Sequence, residues 1–121
     1  MTKDRYSDRL DPATYEDDNG TVGIFEVSPD EPDSLWLSDR LFHRLTGVAV
    51  AYGLHTLATM RDLDDDRLNR ARCETLLDEL AFVAERLNDP LAVRTAQAIS
   101  DYVASRLGRP RWDGLISFEG D

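Results

Sequence analysis

Four polar residues near the middle of the chain have the types and the spacing of a small acid–base site. They are Tyr52, His55, Thr59 and Asp62. Steps of three, four and three residues place all four on one face of an α-helix. A histidine near a phenol and a carboxylate can exchange protons in a catalytic or small-ligand pocket. The stripe has no nucleophile, second base or anion-binding loop, so we favour a structural histidine and keep this pocket as the alternative function.

A run of acids at residues 62–66 raises the question of a metal site. Clustered carboxylates are the ligands of hard cations such as Ca²⁺. A calcium-binding loop that begins at Asp62 would need glycine in place of Arg67 and glutamate in place of Cys73. The run fails at both positions. We therefore interpret it as helix capping, in which carboxylates meet the positive end of the helix dipole.

Cys73 is the single cysteine, so no intramolecular disulfide can form. It lies beside the apolar seam of a predicted helix, which favours a small buried side chain over a nucleophile. It could bind zinc only together with His43 and His55, and no spacing typical of a zinc site links the three. We expect no metal and no other cofactor.

The negative charge of the chain is concentrated near the N-terminus. The net charge is -10, and residues 1–39 contribute eleven acidic against three basic side chains. Residues 40–121 contribute thirteen against eleven, which is close to neutral. A charge of this sign opposes direct binding to nucleic acids or anionic membranes, because their phosphates repel it. It suits a basic protein partner.

Aromatic side chains are interspersed with these acids. Such a surface can imitate the phosphates and bases of a nucleic acid toward a basic protein. The predicted partner-binding residues are Asp11, Tyr15, Glu16, Asp17, Asp18, Asp30, Glu31, Asp33 and Trp36. The simplest alternative is that they only keep the protein soluble.

We interpret the chain as a small acidic, non-enzymatic interaction protein. The most concrete version is an inhibitor of the immunity or antitoxin kind, which would occlude a basic partner such as a nuclease toxin. Charge would raise the association rate and the aromatic side chains would supply affinity. A homo-oligomer is a further possibility, because the central helix has apolar residues on two sides.

The bulk properties indicate one cytoplasmic domain. A length of 121 residues fits a single domain, with residues 1–20 as an acidic arm or loop and residues 21–121 as the globular part. The N-terminus lacks the apolar segment of a secretory signal, and the longest apolar stretch, residues 47–54, is too short to cross a bilayer. Thirteen arginines against one lysine are typical of a high-GC bacterial genome.

The apolar periodicity predicts a mainly α (α+β) fold, a three-helix bundle with a small two-stranded sheet. A single short strand is not stable alone, so we expect the N- and C-terminal strands to pair. The predicted strands cover residues 21–27 and 115–118, and the predicted helices cover residues 38–61, 65–87 and 90–107.

Overall fold

The computed structural model describes residues 20–60 and 65–120, which fold into an α+β domain. Helices pack on one face of a four-stranded antiparallel sheet of strand order β2-β1-β4-β3. The elements in chain order are β1 (Thr21–Phe25), β2 (Leu35–Ser38), α1 (Asp39–Tyr52), α2 (His55–Ala58), β3 (Asp65–Leu68), α3 (Arg70–Arg86), α4 (Pro90–Leu107) and β4 (Ile116–Gly120). The mixed α+β class is confirmed, but the described residues form four helices and four strands instead of three and two.

The two predicted strands pair at the centre of the sheet, as expected. Ile24 lies opposite Phe118, and Val22 lies opposite Gly120. The side chains of Val22, Ile24 and Phe118 are fully buried in the core, beneath the helices. Because side chains alternate along a strand, the residues between them point to the outer face of the sheet.

Residues 35–37, which fall outside the predicted strands and helices, belong to the edge strand β2. Leu35 and Leu37 pack against the core, and Trp36 between them points to the outer face. The strand leads directly into α1, where the Ser38 hydroxyl accepts a hydrogen bond from the Leu41 amide at 3.4 Å. Ser38 is therefore the N-cap of α1.

The prediction of one continuous helix over residues 38–61 is wrong. Helix α1 ends at Tyr52, because Gly53 adopts a left-handed conformation with φ of 69° and its amide donates to the carbonyls of Ala49 and Val50. Glycine reaches this conformation without steric cost, which makes it a frequent helix terminator. Leu54 is extended, and the short helix α2 begins at His55.

The predicted helix over residues 65–87 is wrong at its start. Asp65–Leu68 form strand β3, in which Leu68 pairs with Ile116 of β4 and is fully buried. The helix begins only at Arg70, where the Asn69 side chain accepts a hydrogen bond from the Arg72 amide at 3.0 Å. Leu68 buries its side chain equally well from a strand, so its apolar character alone did not distinguish the two conformations.

The third predicted helix is confirmed as α4. The Asp89 side chain accepts from the Leu91 amide at 2.9 Å, and Pro90 occupies the first helical position. Asp89 is buried and forms an ion pair with Arg44 of α1 at 3.1 Å, which ties the two helices together. Among the described residues, none of the helices has the length and apolar character needed to cross a bilayer.

Candidate functional site

The outer face of the sheet, opposite the helices, carries an open cleft of about 330 Å³. Strands β1, β2 and β4 and the loop that joins β1 to β2 form its walls. The lining residues are Thr21, Phe25, Pro29, Trp36, Glu119 and Gly120. An apolar surface with a single carboxylate at its rim is suited to a ligand that is partly apolar and partly cationic.

Three residues form one cross-strand row through this cleft. Gly23 of β1 pairs with Trp36 of β2 on one side and with Glu119 of β4 on the other. All three therefore share the outer face. Because neighbouring strands are about 4.8 Å apart, the backbones of Trp36 and Glu119 are separated by roughly 10 Å.

The Trp36 ring lies across Gly23. A β-carbon at position 23 would be 3.0 Å from Cζ3 of the ring, which is tighter than most contacts that real β-carbons make, so the ring would have to shift. Glycine at this position therefore lets the indole extend over β1 toward β4. The Trp36 side chain nevertheless remains 55% exposed, which is unusual for so large an apolar group.

The carboxylate of Glu119 is exposed and makes no hydrogen bond or ion pair with any other described residue. One basic side chain, Arg67 of β3, stands on the same face in the neighbouring row, opposite Ser117. Glu119 thus adds a negative charge to the rim of the cleft on the side away from Trp36.

The loop between β1 and β2 is held against α4 by a buried arginine. Arg106 donates to Glu26 Oε1 at 2.7 Å and also pairs with Asp33. Its guanidinium carbon lies 4.0 Å from the centre of the Tyr102 ring. Burial alone would lower the pKa of Arg106, but the hydrogen bonds that it donates to the two carboxylates outweigh this effect and raise the pKa above its ordinary value.

Two further contacts complete this network, which we call the Arg106 network. Glu26 accepts from Arg109 at 3.0 Å and from the indole N–H of Trp112 at 3.2 Å.

The Tyr102 phenol lies beside Arg106 in the same network. Burial raises the pKa of this phenol to about 12, so it is neutral at physiological pH. Its oxygen is buried and has no hydrogen-bond partner among the described residues. The network fixes the loop that contributes Pro29 to the cleft.

Glu31 closes a tight turn within the same loop. One of its carboxylate oxygens accepts from the Val27 amide at 2.7 Å and from the Ser28 amide at 2.8 Å. The hydrogen bonds from Ser28 and Val27 favour the charged form and lower the pKa of Glu31 below its ordinary 4.5. The stabilisation that the charged carboxylate gives this turn is therefore fully present above pH 4.5 and is lost as the pH falls through the lowered pKa.

We expect this loss to be visible by NMR. In an acid titration, the Val27 and Ser28 amide signals should move with a midpoint below 4.5, because protonation of Glu31 weakens the bonds that they donate. In Glu31→Gln, which retains an acceptor oxygen without the charge, this step should disappear. A midpoint at or above 4.5, or an unchanged step in the variant, would contradict the assignment.

The predicted partner-binding residues fall into three groups. Asp11, Tyr15, Glu16, Asp17 and Asp18 lie outside the described residues. Glu31 and Asp33 are engaged within the protein, in the turn and in the Arg106 network. Asp30 is exposed, and Trp36 lines the cleft.

The alternative pocket loses its geometric basis. Tyr52, His55 and Thr59 do not share one helical face, because the chain leaves the helix at Gly53, and Asp62 lies outside the described residues. The exposed Tyr52 ring instead packs edge-on against Phe82, with 5.1 Å between the ring centres.

His55 and Thr59 lie apart from that contact. His55 is exposed at the start of α2, and the Thr59 hydroxyl donates to the Thr56 carbonyl at 2.7 Å. A local hydrogen bond of this kind is typical of a helix end and does not form a pocket.

Cys73 is a structural residue in this fold, whereas residues 62–64 of the acid run lie outside the described residues. Cys73 is fully buried, and its burial raises the pKa of the thiol to about 11, so it is neither a thiolate nor accessible at neutral pH. In the described part of the chain, no three His, Cys, Asp or Glu side chains converge closely enough to hold a metal ion.

Of the residues that line the cleft, the predicted partner-binding set includes only Trp36. Glu119 and Phe25 join Trp36 only through strand register, which depends on the formation of a four-stranded sheet. A signal was present in the alternation of residues 35–37, where an exposed tryptophan between two leucines is typical of a strand with one covered face.

The chain was also compared with known proteins. It matches no protein-family model, no curated protein and no solved structure.

Proposed function

We propose that this protein is a small acidic interaction protein that binds and occludes a basic partner, as an inhibitor of the immunity or antitoxin kind does. The observation that carries the proposal is the location of the charge. Residues 1–39 hold eleven acidic side chains against three basic ones, out of a net charge of -10 for the whole chain. A charge of one sign confined to one third of a chain steers an oppositely charged protein toward that surface.

The internal ion pairs indicate which acidic side chains are available to bind a partner. Arg106 neutralises much of the charge of Glu26 and Asp33, so these two serve the fold. Asp30 remains exposed on the same loop, and Glu119 adds a carboxylate on the adjoining strand. The binding surface that we propose therefore comprises Asp30, Trp36 and Glu119, together with Asp11 and residues 15–18.

An exposed aromatic ring beside this charge supports binding over mere solubility. A solvating surface needs only charged groups, whereas Trp36 keeps more than half of a large apolar side chain in contact with water. Tryptophan is enriched among the residues that contribute most of the free energy of protein–protein binding. An inhibitor would combine this anchor with the surrounding acids.

Affinity capture with the full chain tests the proposal. We expect tagged protein to retain one basic protein from a lysate of the source cells at 50 mM salt and to release it at 500 mM salt. The affinity should fall about tenfold or more over this range, because exposed charges are screened within about 10 Å at 0.1 M and about 3 Å at 1 M. The purified partner should lose its own activity when one equivalent of this protein is added.

Two matched variants provide the control. Neutralising Asp11, Asp17, Asp18 and Asp30 to asparagine should weaken binding. Neutralising four acids on the helices, Glu74, Asp78, Glu85 and Asp101, should leave binding nearly unchanged at the same net charge. Equal weakening by both variants, or tight binding that ignores salt, would overturn the proposal.

A further inference from the structure

The cleft on the outer face of the sheet combines an aromatic plane with a carboxylate, the two groups that recognise an organic cation. Trp36 supplies the plane and Glu119 the negative charge, at opposite ends of one cross-strand row. Gly23 lies between them and adds no side chain, so the ring can cover the intervening strand. The cleft thus has a flat apolar floor and a charged rim.

We propose that this cleft binds one arginine side chain of the basic partner. The inference rests on the proposed function and specifies the contact through which the partner would be held. The guanidinium stacks on the indole of Trp36, and one of its edges donates hydrogen bonds to the Glu119 carboxylate. The methylene groups of the arginine pack against Phe25 and Pro29, which line the same cleft.

The shape of the site favours arginine over lysine. A guanidinium is planar, stacks on aromatic rings and presents a fork of N–H donors that matches a carboxylate. A lysine ammonium is a compact, strongly hydrated charge that would lose more of its hydration against Phe25 and Pro29. A volume of about 330 Å³ suits a single side chain and the backbone that carries it.

The charges around the site are consistent with this occupant. Glu119 has no internal partner among the described residues, so its carboxylate is available to an incoming cation. Asp30 is exposed on the loop that contributes Pro29. Arg67 stands one row away, opposite Ser117, and not in the row of Trp36 and Glu119.

The test uses the full chain and an acetylated hexa-arginine peptide as the probe. Hexa-lysine has the same charge, and hexa-citrulline has nearly the same shape without charge. In ¹⁵N NMR spectra at low salt, hexa-arginine should shift the Trp36 indole signal and the Gly23 and Gly120 amides. The Trp112 indole, which donates to Glu26 inside the protein, is the internal reference and should not move.

Single substitutions then measure each contact. Trp36→Ala should weaken hexa-arginine binding about tenfold, because it removes the stacking surface. Glu119→Gln should weaken hexa-arginine binding about threefold, as expected for an exposed ion pair. Because Glu119 is exposed, this substitution tests the site even if Trp36→Ala disturbs the fold. Tyr52→Ala and Glu85→Gln, an exposed aromatic and an exposed acid elsewhere, should bind like the unchanged protein. Hexa-lysine should bind about threefold more weakly than hexa-arginine.

The possible failures are distinguishable from failure of the proposed function. If the shifts map only to residues 1–19, or if both cleft variants bind hexa-arginine normally, the proposal of an arginine-binding cleft is wrong. The proposed function as an acidic inhibitor is unaffected by that result. If hexa-lysine binds as well as hexa-arginine, the guanidinium preference is wrong. If hexa-arginine does not bind at all, the proposal of an arginine-binding cleft is wrong, and the capture experiment alone tests the proposed function.

Discussion

Replacement of Arg106 by methionine should lower the free energy of unfolding by about 3 kcal/mol. Arg106 is only 5% exposed and is the one cation in contact with both Glu26 and Asp33 within the described residues. Methionine fills a similar volume but leaves the Glu26 carboxylate, which is only 17% exposed, with Arg109 and the Trp112 indole as its remaining partners. Asp33 contributes less, because its side chain is 53% exposed and water screens it.

The measurement is chemical denaturation of the variant beside a matched control. Arg109→Met removes an arginine that also donates to Glu26, at 3.0 Å, but Arg109 is itself about half exposed. This control should cost less than about 1 kcal/mol. Equal losses in the two variants would show that burial of Arg106 contributes nothing beyond an ordinary surface pair.

A second substitution identifies the source of the loss. If the cost of Arg106→Met comes from the carboxylate left behind, adding Glu26→Gln should recover part of it, and the two effects should not be additive. Additive losses would instead indicate that Arg106 acts through packing on Tyr102. Because the network fixes the loop that carries Pro29 and Asp30, the variant should also weaken partner binding.

The extent to which the fold follows from the sequence depends on how local the deciding interactions are. Helix α4 is predicted to the residue, because Asp89 and Pro90 cap it through contacts only a few residues apart. The central strand pair is also predicted, since neither apolar terminal segment can be buried alone. The start of α4 is determined by residues within one segment. The strand pairing follows because each terminal strand has no other predicted strand to pair with.

The errors occur where a distant contact overrides the local pattern. Leu68 fits a helical seam by its spacing, and it becomes a strand residue because β4 offers a free edge opposite Ile116. Gly53 was expected within a helix, where glycine costs only about 1 kcal/mol, so the break at this position was not evident from propensity alone. The cleft combines both problems, because Trp36 and Glu119 are more than eighty residues apart and meet only through the register of three strands.

Buried acids are a further class that the sequence does not distinguish from exposed ones. Glu79 was placed in the middle of a predicted helix with no role of its own, and the structure buries it to 7% exposure. Its two carboxylate oxygens accept from the amides of Thr56 at 3.0 Å and Leu57 at 2.6 Å. A side chain of α3 therefore caps the start of α2, a helix too short to be stable without such support.

Replacement of Glu79 by alanine should consequently lower the free energy of unfolding by about 3 kcal/mol. The change leaves two buried amide donors without an acceptor, and each unsatisfied buried donor costs about 1–3 kcal/mol. Glu79→Gln keeps one acceptor oxygen and should cost roughly half as much. Glu74→Ala, five residues earlier on the exposed face of α3, should cost less than about 0.5 kcal/mol, since it loses only a surface pair with Arg70.

Hydrogen exchange separates this role from a general effect on packing. In Glu79→Ala the Thr56 and Leu57 amides should exchange faster by a larger factor than the amides of the core strands, because the cap is lost locally before the whole domain unfolds. A uniform change across all amides would indicate that Glu79 stabilises α3 itself. The prediction would be contradicted if Glu79→Ala lowered the free energy of unfolding by less than about 1 kcal/mol, or by the same amount as Glu74→Ala. Either result would mean that the Thr56 and Leu57 amides donate to water in the variant at no cost.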